Sequence, residues 1–160
     1  MSGRMRDFDV TGPLPEQGTT LLEASAGTGK TYTVGALVTR YVAEGRARLG
    51  EMLVIPFGRA ASQELRERVR DALVGAERAL SDPASADPTD TLVGWLLAQE
   101  ESERPAMRER LRDALADFDS ATIATTHQFC HLVLRSLGVA GDTDAGVTLV
   151  ESLDDLVAEI

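Results

Sequence analysis

The residues best suited to chemistry in this sequence form the stretch ASAGTGKT, which begins at Ala24. This stretch matches the phosphate-loop pattern G-x-x-x-x-G-K-[ST], except that Ala24 stands at the first glycine position. In such a loop, consecutive backbone N–H groups point toward phosphate oxygens, and Gly27 and Gly29 permit the backbone angles that this requires. Lys30 can reach the β- and γ-phosphates, and the Thr31 hydroxyl can bind Mg²⁺. The pattern therefore predicts nucleotide binding.

The segments on either side of this stretch have the order that a phosphate loop requires. The short apolar run TTLLEA over 19–24 predicts a buried strand, and KTYTVGALVTRYVAEG predicts a helix from Lys30 that ends near Gly45. A helix that begins at the loop directs the positive end of its dipole toward bound phosphate. The alternative is an ordinary turn rich in Gly, Ser and Thr. Lys30 and Thr31 disfavour this alternative because both stand at the positions that the phosphate-loop pattern requires.

The remaining elements predict an α/β fold. Apolar runs over 51–57 and 121–125 predict two further strands. Helices are predicted over 60–80, 91–100, 105–117 and 126–137. Because strands that alternate with helices form parallel sheets, we expect a parallel sheet covered by helices. Three strands make a thin sheet for 160 residues, which suggests that further strands belong to it.

Composition and charge narrow the class of protein. Hydrophobic residues make up 43% of the sequence and charged residues 26%, which is typical of a folded globular domain. The formal net charge of −10 argues against a protein that binds nucleic acid through its overall charge. This net charge does not exclude a local basic strip that binds nucleic acid. A single cysteine, Cys130, cannot form an internal disulfide, which fits a reducing compartment. With no signal peptide and no membrane-length apolar run, a cytoplasmic protein without a membrane partner is expected.

Two further elements, taken together with the phosphate loop, resemble the opening of a known family. EASAGTGKTYT over 23–33 is followed by VIPFGRAASQELRERV over 54–69 and by TIATTHQFCHLVL over 122–134. In this order and spacing, the three elements are similar to the start of superfamily 1A DNA helicases of the UvrD type. The phrases EASAGTGKT and TTHQFC point to the RecB branch, the β subunit of exonuclease V. The resemblance covers the sequence from about Gln17 to Ile160.

The resemblance implies a domain boundary and a set of nucleotide contacts. Residues 1–138 would form part of the RecA-like ATP-binding lobe, domain 1A, in which helices flank a parallel sheet. Residues 139–160 would begin an inserted 1B subdomain. Gln17 matches the glutamine that recognises adenine with a paired donor and acceptor. The predicted ATP-binding residues are Gln17, Ala24, Ser25, Ala26, Gly27, Thr28, Gly29, Lys30, Thr31 and Tyr32, with catalytic roles for Lys30 and Thr31 and Mg²⁺ binding by Thr31.

The resemblance also implies contacts with single-stranded DNA. The matching residues are Phe57, Arg59, Ala60, Thr125, Thr126 and His127. An aromatic ring such as Phe57 can stack on a base, and the Arg59 guanidinium can bind phosphate. Pro56 and Gly58 replace residues that carry hydroxyl or amide groups in the family, so one side-chain contact with the DNA backbone is lost. Thr126 lies at a predicted strand-to-helix junction, where it can also cap the helix.

Hydrolysis of ATP would need parts that are not evident in the sequence, namely an acidic Mg²⁺ ligand after a strand and an arginine for the transition state. Asp117 and Asp119 precede the strand predicted over 121–125, and LVESLDD over 149–155 lies where the family inserts its 1B subdomain. We therefore expect an N-terminal part of a longer protein that uses ATP and Mg²⁺ to move along and unwind DNA during double-strand-break repair and recombination. RecC- and RecD-like subunits would be its partners, and the chain alone would have little or no ATPase activity.

Two other functions fit parts of the sequence. A small self-contained P-loop kinase would need an arginine-rich lid and an acidic Mg²⁺ ligand of its own. The arginines instead cluster on predicted helices, at Arg66, Arg68, Arg70, Arg104, Arg108, Arg110 and Arg112. A non-catalytic nucleotide-binding or partner-binding module would bind nucleotide without turnover, which is also expected of a helicase fragment.

Overall fold

The computed structural model describes residues 7–25, 27 and 29–137. Their α-helices are α1 (Lys30–Ala43), α2 (Arg59–Ser81), α3 (Thr91–Leu97), α4 (Arg104–Ala116) and α5 (Thr126–Leu137). Their strands are β1 (Leu53–Val54) and β2 (Thr122–Ile123), and short 3-10 turns span Leu49–Glu51, Pro83–Ser85 and Phe118–Ser120. No helix in these ranges combines the length and apolarity needed to cross a membrane.

The longest helix, α2, forms the centre of the core and contacts α1, α3 and α4. Its residues Leu65, Val69, Leu73 and Ala76 recur at spacings of three and four and are all buried. The helix predicted over 60–80 is therefore confirmed, and these residues form its buried face. Other core residues are Ala36, Val38 and Val42 of α1, Leu92 and Leu96 of α3, Met107 and Leu111 of α4, and Phe118.

The two helices α1 and α2 approach each other closely at Gly35. A Cβ atom at this position would lie 3.4 Å from the Arg68 carbonyl oxygen and 3.6 Å from the Ala72 Cβ atom. A side chain longer than a methyl group would therefore push the helices apart. Because Gly35 lies in the second turn of α1, this contact fixes the N-terminal end of α1 against α2.

The strands β1 and β2 pair in parallel, with Leu53 opposite Thr122 and Val54 opposite Ile123. A parallel pair between these two apolar runs was predicted, and it is confirmed. Each strand is only two residues long, which is shorter than the predicted ranges 51–57 and 121–125. Two-stranded sheets are marginal, so the pair extends only as far as neighbouring helices support it.

The strand predicted over 19–24 is absent, and this prediction is wrong. Residues 19–25 form no regular structure, and Leu21 is 80% exposed. A strand needs a neighbour whose backbone groups can pair with its own. Because β1 and β2 are two residues each, a third strand would find few such groups in the described part of the chain. The described fold is therefore mainly helical, with a small parallel sheet.

The helix predicted over 126–137 is confirmed as α5, but none of its residues is buried. Phe129, Val133 and Leu137 have the spacing of one helical face, yet Leu137 is 52% exposed. The neighbouring Leu132 and Leu134 are exposed as well. The domain boundary at 138 and the residues after it lie outside the described part of the chain.

Leu73 provides a test of this core. It is fully buried on α2, so the substitution Leu73→Ala leaves a cavity and is expected to lower the free energy of unfolding by about 2–5 kcal/mol. The adjacent Val74 is 44% exposed, and Val74→Ala is expected to cost about 0.5 kcal/mol or less. Urea denaturation followed by circular dichroism measures both variants. Equal losses in the two would show that this face of α2 is not the core.

Candidate nucleotide-binding site

The phosphate-loop residues lie directly before α1. Gly29 is the N-cap residue of α1 with φ 81° and ψ 24°, and Gly27 has φ 77°. Among the described residues other than chain neighbours, no atom lies within 4 Å of a Cβ built at either position, so the backbone conformation is what favours glycine there. Residues other than glycine adopt this left-handed backbone conformation only with strain. Gly29 has no side chain to cap the helix, and the N–H groups at a helix N-terminus can bind an anion.

The Lys30 side chain folds back across the loop. Its Nζ donates a hydrogen bond of 3.1 Å to the Ala24 carbonyl oxygen, and the residue is exposed. This bond joins the first position of the phosphate-loop pattern to the start of α1. The ammonium group is therefore already held at the loop, where it is also open to solvent.

A cleft of about 560 Å³ adjoins the loop. It is bounded by the loop, the N-terminal half of α1, one face of α2 and the start of α3. Its charged residues are Lys30 and Arg68, and Glu64, Asp71 and Asp90. Thr31 is half-buried and lines the same cleft.

Tyr32 connects this cleft to α3. Its Oη donates a 3.1 Å hydrogen bond to Asp90 Oδ1, and the same oxygen accepts bonds from the Leu92 and Val93 amides at 2.8 and 3.2 Å. Burial raises the pKa of the Tyr32 phenol, and the negative charge of Asp90 adds to the effect. The phenol therefore stays protonated at neutral pH and remains a donor. Asp90 was missed from the sequence, although an aspartate directly before the apolar run TLV is a typical helix N-cap.

Gln17 lies at an exposed bend, and Gly18 follows it with φ 82°. The preceding residues 10–16, here called the N-terminal strap, lie against α1. Leu14 in the strap is buried, and Val10 packs against the core. The structure therefore places Gln17 at the point where an anchored segment ends and an exposed one begins.

The two groups of predicted DNA contacts follow β1 and β2. Because parallel strands run in one direction, both groups leave the sheet at the same edge. Phe57 and Arg59 follow β1, and the Phe57 ring is fully exposed. Thr126 and His127 follow β2 and are also exposed. The structure thus brings the two groups to one edge, and their contact with DNA stays a prediction.

Thr125, rather than Thr126, caps α5. The Thr125 amide and hydroxyl donate to Gln128 Oε1 at 2.9 and 3.2 Å, and the Gln128 amide donates to Thr125 Oγ1 at 3.3 Å. This is a capping box, and the Thr125 carbonyl accepts the first helical bond from the Phe129 amide at 2.8 Å. The suggestion that Thr126 caps the helix is wrong. Thr125 is buried and its hydroxyl is used in the cap.

The aspartates considered as Mg²⁺ ligands lie before β2. Asp117 is the C-cap residue of α4, and Asp119 lies in the turn Phe118–Ser120. Asp119 Oδ1 accepts a 2.9 Å bond from Arg66 Nη2. Neither carboxylate follows a strand, in agreement with the sequence.

Comparison with known proteins identifies the family. A family model of the UvrD/REP helicase N-terminal domain matches residues 10–159. The chain is 64% identical over 157 residues to the RecBCD enzyme subunit RecB of Mycolicibacterium smegmatis, and 60% identical over 157 residues to that of Mycobacterium tuberculosis. Both alignments cover 98% of the chain and 14% of the relative. The RecB subunit of Escherichia coli is 35% identical over 130 residues, which is 76% of the chain and 11% of the relative.

The matched region contains every residue predicted to bind nucleotide or DNA. The family implies a P-loop NTPase fold, which agrees with the loop and helix geometry at Gly29. A small self-contained kinase is not favoured. The chain spans about 14% of the length of the mycobacterial relatives. It belongs to the UvrD/REP helicase N-terminal domain family.

Proposed function

We propose that this chain is the ATP-binding part of a RecB-type DNA helicase subunit. In the whole protein, ATP hydrolysis would drive movement along DNA and its unwinding during double-strand-break repair and recombination. The observation that carries this proposal is the left-handed Gly29 N-cap directly before α1, within a chain that is 64% identical over 157 residues to a RecB subunit.

The loop residues fit a nucleoside triphosphate. The N–H groups at the N-terminus of α1 would bind phosphate oxygens, and Lys30 would exchange its bond to the Ala24 carbonyl for bonds to phosphate. Thr31 would hold Mg²⁺ through its hydroxyl, while Tyr32 and Gln17 would contact the nucleoside. ATP supplies the phosphoryl group whose transfer to water drives the motor. The residues proposed for the contact are Gln17, Ala24, Ser25, Ala26, Gly27, Thr28, Gly29, Lys30, Thr31 and Tyr32.

The shared edge of the sheet fits single-stranded DNA. Phe57 offers an exposed ring for stacking on a base, and Arg59 begins α2 beside it, where a phosphate can meet both a guanidinium and a helix N-terminus. Thr126 and His127 can bind the backbone of the strand. Thr125 is buried in the capping box, so we propose that it acts by holding these two neighbours at the edge.

The remaining parts of the proposal concern the whole protein. Residues 1–138 would belong to a RecA-like lobe, domain 1A, with β1 and β2 as two strands of a larger parallel sheet, and residues 139–160 would begin the 1B subdomain. The relatives are named as subunits of RecBCD enzymes, so we propose RecC- and RecD-like partners. The site of action would be the cytoplasm, where bacterial DNA lies.

Lys30→Ala is expected to weaken binding of a magnesium complex of a non-hydrolysable ATP analogue about 10-fold or more. The substitution removes charge-assisted hydrogen bonds to phosphate, each of which contributes about 1.5–3 kcal/mol. Isothermal titration calorimetry measures the dissociation constant. Arg112→Ala removes an exposed cation of α4 that does not line the cleft, and it should leave the affinity unchanged.

The same phosphate contact can be measured by chemical labelling, because Lys30 is the only lysine in the sequence. The magnesium complex of ATP should protect its ε-amine from acetylation, as measured by peptide mass spectrometry, and adenosine should not. Equal labelling with and without nucleotide would contradict a phosphate contact at Lys30.

ATP turnover by the chain alone is expected to be at or near background. A carboxylate that follows a strand and an arginine aimed at the transition state are both needed for fast transfer. Among the described residues, Asp117 and Asp119 do not meet the first requirement. A coupled phosphate-release assay with and without single-stranded DNA measures the rate. DNA-stimulated turnover that Lys30→Ala abolishes would show that the chain already holds a complete motor site.

Phe57→Ala is expected to weaken binding of an oligothymidylate about 5- to 100-fold, because stacking of a base on an aromatic ring contributes about 1–3 kcal/mol. Fluorescence anisotropy of a labelled oligonucleotide gives the affinity. Phe8→Ala removes another exposed phenylalanine, which precedes the strap, and is the matched control. If both variants bind as tightly as the wild type, the proposed DNA edge is in the wrong place.

A further inference from the structure

The C-terminal half of α1 holds the N-terminal strap through a buried arginine. Arg40 is 4% exposed, and its Nη1 donates to the carbonyl oxygens of Val10 and Gly12 at 2.6 and 2.5 Å. Its Nε and Nη2 donate to Glu44 Oε1 at 2.9 and 2.6 Å. A buried charge is tolerated only when it is well bonded, so these partners fix the guanidinium in place. The two carbonyl bonds fix the strap in turn.

The Arg40 guanidinium also contacts a third element. Its central carbon lies 4.0 Å from the centroid of the Trp95 ring of α3. Such a cation–π contact attracts the guanidinium to the ring and also fixes its orientation over the ring face. The strap, α1 and α3 are therefore joined at one side chain, and the guanidinium cannot rotate without losing bonds to all three.

Tyr41 of α1 and Arg46, which follows α1, extend this attachment to the end of the strap. Tyr41 Oη donates a hydrogen bond to the Pro15 carbonyl oxygen. Arg46 and Glu16 form an ion pair at 3.2 Å, which is exposed and contributes little. The attachments therefore run from Val10 to Glu16, and the next residue is Gln17.

The position of these contacts relative to the phosphate loop is fixed by helix geometry. Arg40 lies ten residues after Lys30 in the same helix, which corresponds to about 15 Å along the axis. Pro15 lies two residues before Gln17, so at most about 7 Å of extended chain separate the two. One helix thus carries the loop at its N-terminus and holds the segment that ends at Gln17.

We propose that Arg40 and Tyr41 are positioning residues that give the nucleotide site its preference for adenine. This inference rests on the proposed function, in which a triphosphate binds at Lys30. A glutamine amide matches the N6 donor and N7 acceptor of adenine, whereas guanine presents two acceptors at that edge. This pairing distinguishes adenine from guanine only when the backbone of Gln17 is held in place. Ordering a mobile amide on binding costs conformational entropy, which reduces the affinity gained from the pairing. The Arg40 and Tyr41 bonds supply that restraint.

The test is to titrate the full 160-residue chain with the magnesium complexes of ATP and GTP and with inorganic tripolyphosphate. Arg40→Lys cannot reproduce the forked bonds, and it should lower the ratio of ATP to GTP affinity about 3- to 10-fold. Tyr41→Phe removes one hydroxyl and keeps the ring, so it should lower the ratio by a smaller factor without risk to the fold. Both variants should bind tripolyphosphate within about 2-fold of the wild type, because the loop is unchanged.

Two further variants separate positioning from general stability. Arg110 of α4 donates through Nη1 to the Ala43 carbonyl at 2.7 Å, at the same end of α1. Arg110→Lys therefore weakens an arginine–carbonyl bond outside the strap, and it should leave the ratio unchanged. Gln17→Ala removes the amide itself and should lower the ratio at least as far as Arg40→Lys does. Combining it with Tyr41→Phe should cause no further loss.

The possible failures are distinguishable. If Tyr41→Phe and a folded Arg40→Lys keep the wild-type ratio, or if the wild type does not prefer ATP, the positioning role is overturned while triphosphate binding stands. If Arg110→Lys lowers the ratio as much as Arg40→Lys, the effect is one of stability and the role is also overturned. If tripolyphosphate binding does not depend on Lys30, the proposed function fails, and this inference fails with it.

Discussion

The packing of α1 on α2 is the contact on which the rest of the described structure depends. Gly35 permits the close approach, and the buried face of α2 around Val69 and Leu73 holds it. α1 carries the phosphate loop at one end and the strap at the other, while α2 begins at Arg59, beside the exposed Phe57. The nucleotide residues and one part of the proposed DNA edge therefore lie on a single helix pair. Because packed helices resist gradual deformation, the two sites keep their relative position when this pair moves as a unit, and a shift between them requires α1 and α2 to repack.

Arginine supplies many of the internal connections in this acidic chain. Besides Arg40, the guanidinium groups of Arg66, Arg104 and Arg110 donate to backbone carbonyls of other segments, at 3.4 Å to Ala121, 2.5 Å to Leu97 and 2.7 Å to Ala43. A planar group with five donors suits this task better than an ammonium does. A guanidinium bound in this way keeps its charge, but the donors that it uses on carbonyls are not available to bind phosphate directly. Affinity for DNA should then depend on stacking and a few local phosphate contacts rather than on the net charge of −10.

Local patterns predicted the helices and the parallel pairing of two strands, whereas the extent of the sheet and the side-chain contacts between distant segments did not follow from them. The helix from Lys30, the buried face of α2 and the span of α5 all follow from residue spacing within one element. The strand over 19–24 was predicted wrongly because a strand is stable only beside a neighbour, and sequence does not show whether one is present. Arg40 was missed for a related reason: its partners are carbonyl oxygens 30 and 28 residues away, and any residue type carries a carbonyl. The choice of Thr126 over Thr125 as the cap overlooked Gln128, whose spacing from Thr125 marks a capping box.

The caps of α3 and α5 also bear on how the chain is made. Asp90 bonds to amides two and three residues ahead, and the Thr125–Gln128 box closes within a single turn, so neither cap needs a distant partner. Nucleation is the costly step in helix formation, and a local cap reduces that cost. Both helices can therefore begin to form while the ribosome is still extending the chain. In the part of the chain that the structure describes, the α5 residues Leu132, Val133, Leu134 and Leu137 are exposed, so an α5 helix that forms early would present apolar side chains to which a chaperone could bind during synthesis.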